Sequence, residues 1–190
     1  MSDKKDFHDK CTERLSFAIS RSAKAQTLID AIEGLGCKIP DDFLSCRPCD
    51  ANISGGFVVD SNSNRAGSSS NVYKPQIIMC ENKKVEKETF ENTLVHELVH
   101  AYDQCKVKMD WKNCLHHACT EIRASSLSGE CDLLHELYRG HKTIQAGHQE
   151  CVKRRAQKSL EANPHCKAIA ADAVKASFLS CYNDKAPLEE

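Results

Sequence analysis

Between residues 6 and 35 the apolar positions fall at Phe7, Cys11, Leu15, Ala18, Ile19, Ala25, Leu28, Ile29 and Ile32. Steps of three and four predict one long helix, which Gly34 and Gly36 can end. Residues 36–52 carry Cys and Pro without a period and predict a loop. Residues 55–60, Gly-Gly-Phe-Val-Val-Asp, predict a short strand. Residues 61–71, rich in Ser, Asn and Gly, predict a mobile loop. A second strand is predicted over 73–80. Pro75 cannot donate to a sheet ladder, so this strand is expected at an edge or to begin there. From residue 86 to 105 the period becomes helical, with Phe90, Leu94, Val95, Leu98, Val99 and Tyr102 on one face and Thr89 as an N-cap candidate if the helix starts late. Asp110 can cap a further helix over about 113–127. Residues 132–182 are helical in spacing, with breaks near Gly140, Gly147 and Asn163-Pro164. No internal repeat is present. The pattern predicts an α+β chain, a small sheet followed by a helical half. We expect one domain over 1–190, with an N-terminal helix at 6–35, a core at 50–131 and C-terminal helices at 132–182.

Composition narrows the function. The 190 residues are 41% hydrophobic and 28% charged, with a net charge of -1. That is an ordinary globular balance, and it lacks the basic stripe of a nucleic-acid binder, so no nucleic-acid partner is expected. The basic clusters Lys83-Lys84 and Lys153-Arg154-Arg155 read as solvated helix surface. No apolar run approaches the roughly 18 residues that span a bilayer. The first ten residues lack the apolar core of a secretory signal and are too acidic for an Arg-rich presequence, which taken alone points to cytosol or nucleus. Twelve cysteines point the other way, because reduced compartments rarely hold so many without metal. Two readings stay open: a framework of up to six disulfides, which we favour, or a zinc site on Cys46 and Cys49. The equal spacing of Cys151, Cys166 and Cys181 suggests a stapled helical hairpin.

The chemistry centres on residues 96–100, His-Glu-Leu-Val-His. Two histidines four apart on a helix put both imidazoles on one face, in reach of one metal ion. Catalytic zinc takes three protein ligands plus water, and Glu97 beside the first histidine suits the general base. The plain alternative is a pair of surface histidines on an amphipathic helix. The motif follows two predicted strands, where such a helix sits in zinc peptidases, and this favours the metal reading. Two candidates exist for the third ligand. Glu121, on the next predicted helix, resembles the glutamate that gluzincins place shortly after this motif. Asp103, three residues past His100, is close to the metal face but short. We favour Glu121 as ligand and Asp103 as acceptor of a hydrogen bond from a ligand imidazole. His117, four residues before Glu121, shares its face and is a candidate donor to the oxyanion of a tetrahedral intermediate. His116 points elsewhere. Arg123 is expected to pair with a carboxylate such as Asp103, and Tyr102 to lie in the core. The strand ending near Cys80 is expected to offer an edge for an extended peptide substrate.

Residues 49–57 with their Gly-Gly, 77–82, 95–105 and 115–131 together resemble one family, the mitochondrial inner-membrane metalloproteases that act in ATP synthase assembly. Some members carry the label Ku-binding protein. The resemblance covers about residues 11–182. It implies a zincin-like, gluzincin-type domain with one catalytic Zn²⁺ held by His96 and His100, and Glu97 as base. It implies residence in the intermembrane space, peripheral to the inner membrane, after import through an oxidative disulfide relay. It further implies cleavage of the proton-channel subunit of ATP synthase and a separate, chaperone-like role in assembling that subunit. Hence two functions are expected, a metalloendopeptidase or a non-proteolytic assembly factor. A nuclear repair partner, suggested by the label alone, conflicts with the neutral charge and the cysteines. The loop 61–71 matches no motif of the family.

Overall fold

The computed structural model describes residues 2–50, 53–60, 74–107, 109–132, 140 and 144–189. Two helices open the chain, α1 (Ser2–Arg21) and α2 (Ala23–Gly34), where the periodicity predicts one. The apolar stripe runs on through Ser22, but Ser22 itself is extended (φ -82°, ψ 107°) and its side chain accepts from the Ala25 N–H. Serine competes for backbone donors inside a helix and satisfies them at an N-cap, so the helix breaks there. Gly36, at φ 82°, then turns the chain out of α2.

A three-stranded sheet follows: β1 (Leu44–Arg47), β2 (Gly55–Asp60) and β3 (Lys74–Cys80). The order is β1-β3-β2, with β1 parallel and β2 antiparallel to β3. β3 begins beside Pro75, as one alternative expects, but it is the central strand and not an edge. Register explains how it tolerates Pro75. The Ile77 N–H donates to Phe43 O on the β1 side at 2.6 Å, and by alternation Pro75 faces the same way. β1 pairs only from Ile77 onward, so no donor is needed at Pro75. β1 itself lies in the stretch predicted as loop. Four residues are too few to show a period.

α3 (Lys87–Lys106) begins at Glu86, which makes no side-chain cap bond. Thr89 is inside the helix, its carbonyl accepting from the Thr93 hydroxyl. α4 (Cys114–Leu127) is capped by Asn113, whose side chain accepts from the Leu115 N–H. Asp110 caps the preceding turn by accepting from the Lys112 N–H at 2.9 Å. α5 (Ile144–Ala162) runs straight through Gly147, contrary to the predicted break. The break at Asn163-Pro164 is present, and a short 3-10 turn (Lys167–Ile169) leads into α6 (Ala170–Asn183). The loop 61–71 lies outside the described residues.

α3 is the spine. One face packs Leu94, Leu98 and Val99 against Leu28 of α2 and against Ile77 and Met79 of β3. Leu28, Leu94 and Leu98 are fully buried, each contributing about 2 kcal/mol by removal from water. Its other face is covered by α4, which buries Glu97, His100 and Asp103 as well. A second cluster joins Ala118 and Ile122 of α4 to Val152, Ala156 and Leu160 of α5 and to Val174 and Phe178 of α6. α4 also sends Ala124 and Leu127 into the first cluster, which makes the two cores one domain.

All twelve cysteines are paired. Cys11–Cys46 ties α1 to β1, Cys37–Cys105 ties the turn after α2 to α3, and Cys49–Cys80 ties the chain after β1 to the end of β3. Cys114–Cys166, Cys119–Cys181 and Cys131–Cys151 tie the last helices to α4 and the turn after it. Cys46 and Cys49 are thus committed to disulfides and form no zinc site. Cys151, Cys166 and Cys181 do not staple a hairpin to itself. Each reaches back toward α4.

Candidate metal centre

His96 and His100 project from α3 toward Glu121 of α4, and Glu97 toward the Phe57 main chain of β2. Among the described residues, one group of three could hold a metal ion: His96, His100 and Glu121, with ligand atoms all within 4.8 Å of one another. His96 Nε2 lies 3.6 Å from Glu121 Oε2, and His100 Nε2 lies 3.5 Å from Glu121 Oε1. The Nδ1 atoms are engaged elsewhere. His96 Nδ1 faces Glu130 Oε1 at 3.1 Å, and His100 Nδ1 faces the Thr120 hydroxyl at 2.8 Å. Each imidazole therefore turns Nε2 to one shared point, with its other nitrogen tethered, as metal-ligating histidines require. Two imidazoles and a carboxylate are a donor set that zinc accepts, so the residues fit the ion the motif implies.

The electrostatics agree. Burial acts to lower His96, but Glu130 and Glu121 overcome it and hold the imidazole well above its ordinary range. Burial pushes His100 down to about 3 despite Glu121 beside it. Burial would raise Glu121, yet the surrounding His100, His117 and His96 hold it well below the carboxylate range. A dry pocket with two carboxylates gathered on imidazoles is one that favours a cation. Glu97 stands apart from this set. Burial pushes it up to about 7, opposed by His96 and by a hydrogen bond from the Phe57 main chain.

Residues 9–189 match the Peptidase M76 family. The chain belongs to that family. It is similar to the mitochondrial inner membrane protease atp23 of Schizosaccharomyces pombe, 40% identical over 185 residues, covering 95% of this chain and 92% of that protein. It is 39% identical over 182 residues to the mitochondrial inner membrane protease ATP23 of Yarrowia lipolytica, covering 94% and 67% respectively. The Homo sapiens protein named mitochondrial inner membrane protease ATP23 homolog is 36% identical over 183 residues, covering 95% and 69%. No solved structure matches the chain.

In this M76 chain Asp103 is not in the group that could hold a metal ion. It accepts from the Thr120 hydroxyl at 2.8 Å and from Arg123 Nε at 3.0 Å. Its link to His100 runs through Thr120 rather than directly to the imidazole, because α4 inserts the hydroxyl between them. Arg123 also donates to Asp184 O at 2.7 Å and to Ala186 O, so the network pins the C-terminal segment. Tyr102 is buried in the first core cluster. His117 is buried on α4 with Nε2 3.3 Å from Glu121 Oε1. His116 turns away and accepts from the Asp110 N–H.

Residues outside the motif also stand around the centre. Glu130 is delivered over His96 by Gly129, whose φ of 95° lets the chain reverse after α4. Arg155, from the basic cluster read as helix surface, keeps a side chain 40% exposed and yet pairs with the buried Glu130. The Ser159 hydroxyl donates to Glu121 Oε1 at 2.6 Å. Trp111 sets its ring 5.8 Å from His100, 5.5 Å from His117 and 6.1 Å from Phe57, centroid to centroid. Of these only Glu130 left a signal, a glycine followed by an acid just past a predicted helix end. Arg155 and Ser159 depend on α5 packing across α4, and Trp111 on the turn between α3 and α4, where it donates to Gln104 Oε1.

The centre lies in a cleft of about 640 Å³ whose lining includes Gly55, Phe57, Trp111, Glu121, Arg155 and Lys158. β2 forms one wall. Gly55 makes this possible, since a Cβ there would come within 2.9 Å of Thr93 Cγ2 and 3.1 Å of Ile78 O. Among the described residues the free edge beside the centre is therefore that of β2, not of β3.

Proposed function

We propose that the chain is a zinc-dependent endopeptidase of the mitochondrial intermembrane space, peripheral to the inner membrane, that processes the proton-channel subunit of ATP synthase and assists its assembly. The observation that carries the peptidase reading is the convergence of His96, His100 and Glu121 beside Glu97. The family and the printed names of the relatives support a protein substrate at that membrane. Among the described residues no helix is long and apolar enough to cross a membrane, and six disulfides suit an oxidising compartment.

His96, His100 and Glu121 would hold the zinc. When bound, it supplies Lewis-acid polarisation of the peptide carbonyl and lowers the pKa of water toward about 7. The chain's own residues do the rest. An extended substrate adds to the outer edge of β2 through main-chain hydrogen bonds, beside the apolar wall of Phe57 and Trp111. Glu97, a base poised near neutrality and anchored by the Phe57 N–H, takes a proton from the attacking water and returns it to the leaving amine. His117, whose Nε2 lies 3.3 Å from Glu121 Oε1, would donate to charge developing on the carbonyl oxygen.

The test uses purified, oxidised, zinc-loaded protein with a peptide spanning the processing site of the channel subunit. Specific cleavage that Glu97→Gln abolishes supports the reading. Cleavage that survives Glu97→Gln contradicts it. Complementation of a strain lacking the relative separates the two roles: full assembly with Glu97→Gln favours the chaperone role.

A further inference from the structure

We propose that Asn163 is a positioning residue that fixes the tautomer of His117, so that its proton sits on Nε2 and faces the cleft. The inference begins with a turn far along the chain. After α5, Asn163-Pro164 ends the helix, and the Cys114–Cys166 bridge clips this turn to the first turn of α4, three residues before His117. There the Asn163 side-chain amide meets three partners. Oδ1 accepts from the His165 main-chain N–H at 3.0 Å. Nδ2 donates to the Trp111 carbonyl at 3.0 Å. Nδ2 also lies 3.0 Å from His117 Nδ1.

An amide can be placed in two orientations that differ by exchanging oxygen and nitrogen, and only its partners decide between them. Here two of the partners have fixed roles. A main-chain N–H can only donate and a main-chain carbonyl can only accept. Reversing the amide would set oxygen against carbonyl oxygen at Trp111 and N–H against N–H at His165. The nitrogen therefore faces His117, and its second hydrogen points at Nδ1. A neutral imidazole has one donor and one acceptor nitrogen. With Nδ1 accepting, Nε2 carries the proton, and that atom points to Glu121 and the cleft. Asn163 thus presents His117 as a donor toward Glu121 and the cleft, the side from which a substrate carbonyl would approach. It also holds the Trp111 main chain, so one amide sets both the aromatic wall and the donor.

This rests on the peptidase reading for its catalytic consequence, but not for the tautomer. The sequence-level candidacy of His117 as an oxyanion donor leaves its protonation open. The Asn163 amide selects at Nδ1, and the Glu121 carboxylate beside Nε2 accepts the proton so placed.

The test combines a spectrum with kinetics. The full-length oxidised chain is labelled with ¹⁵N-histidine, and His117 is assigned from the signals lost in His117→Ala. Recorded where a single imidazole nitrogen is protonated, ¹⁵N–¹H correlations report which nitrogen holds the proton. Wild type is expected as the Nε2–H tautomer. Asn163→Asp, nearly the same shape but acceptor-only, is expected to draw the proton to Nδ1. In zinc-loaded protein at the same pH, Asn163→Asp should lower kcat about 100-fold, the cost of losing one such donor. KM and zinc stoichiometry should stay within twofold of wild type, and a His117→Ala background should show no further loss. A wild-type Nδ1–H tautomer overturns the proposal, whether or not the variant folds. So does an Asn163→Asp protein that keeps Nε2–H, that loses zinc, or whose kinetic loss persists without His117. If wild type shows the Nε2–H signature but cleaves no peptide, the peptidase reading fails and the tautomer assignment stands.

Discussion

Replacing Asp103 with alanine removes the carboxylate on which two buried groups depend. Its side chain is 8% exposed and that of Arg123 is 3% exposed, with Arg123 Nε 3.0 Å from Oδ1. Losing one member of a buried pair costs about 3–5 kcal/mol, chiefly because the other charge is left in low dielectric. Arg123 retains Asp184, whose carboxylate is 2.5 Å away but 44% exposed and so a weaker partner. That places the ion-pair loss near the lower bound, about 3 kcal/mol. The Thr120 hydroxyl loses its acceptor as well, adding about 1 kcal/mol. The expected total is about 4 kcal/mol, a large part of the 5–15 kcal/mol typical of a domain. At about 2–4 °C per kcal/mol for this size, melting should fall by about 8–16 °C. The assay is urea unfolding of metal-free protein with disulfides intact, followed by tryptophan fluorescence. Asp103→Asn, which can still accept from both groups, should lose about half as much. A loss under about 1 kcal/mol for Asp103→Ala, with an unchanged denaturant slope, would refute the reasoning and place this pair in effective contact with water.

Three further outcomes are expected. Glu130→Gln should weaken zinc binding about 10–100-fold, measured by competition with a chelator, because His96 loses the carboxylate that orients it. In metal-free protein Glu130 also predicts an acid limb. Burial acts to raise this carboxyl, but His96 and Arg155 bring it from an ordinary 4.5 down to about 2. A depressed folded pKa gives stability that is present above the unfolded value and disappears as pH falls from about 4.5 to about 2. Denaturation across that window should show the loss in wild type and a flatter profile in Glu130→Gln. Gly55→Ala should push β2 off α3, costing about 1–3 kcal/mol by overpacking and raising KM with zinc retained; wild-type KM would remove β2 from the substrate path.

The helices that hold the centre are legible in the chain because α3 and α4 are long, periodic and rich in apolar anchors. The i, i+4 spacing of His96 and His100 needs nothing beyond helix geometry to place both rings on one face. Glu121 follows once α4 is seen to pack on α3. What is not legible arises from contacts distant in sequence. Nothing near Asp103 shows that Thr120 will stand between it and His100. Arg155 reads as a surface cation until α5 folds across α4 and meets Glu130. The central place of β3 is hidden because Pro75 mimics an edge signal, and only the late start of β1 makes it harmless. Ser22 shows a further limit. Hydrophobic spacing continues across it, while a single hydroxyl bonded to the Ala25 N–H divides the helix.

The central claim is that His96, His100 and Glu121 form one metal site. Zinc content of purified, oxidised protein, measured by atomic emission for wild type and Glu121→Gln after equal dialysis, addresses it most directly. The expected result is one zinc per folded wild-type chain and a substoichiometric amount in the variant, with both folded by circular dichroism. Metal-free wild type after loading, or full retention of zinc by Glu121→Gln with loss only in Asp103→Asn, would contradict it.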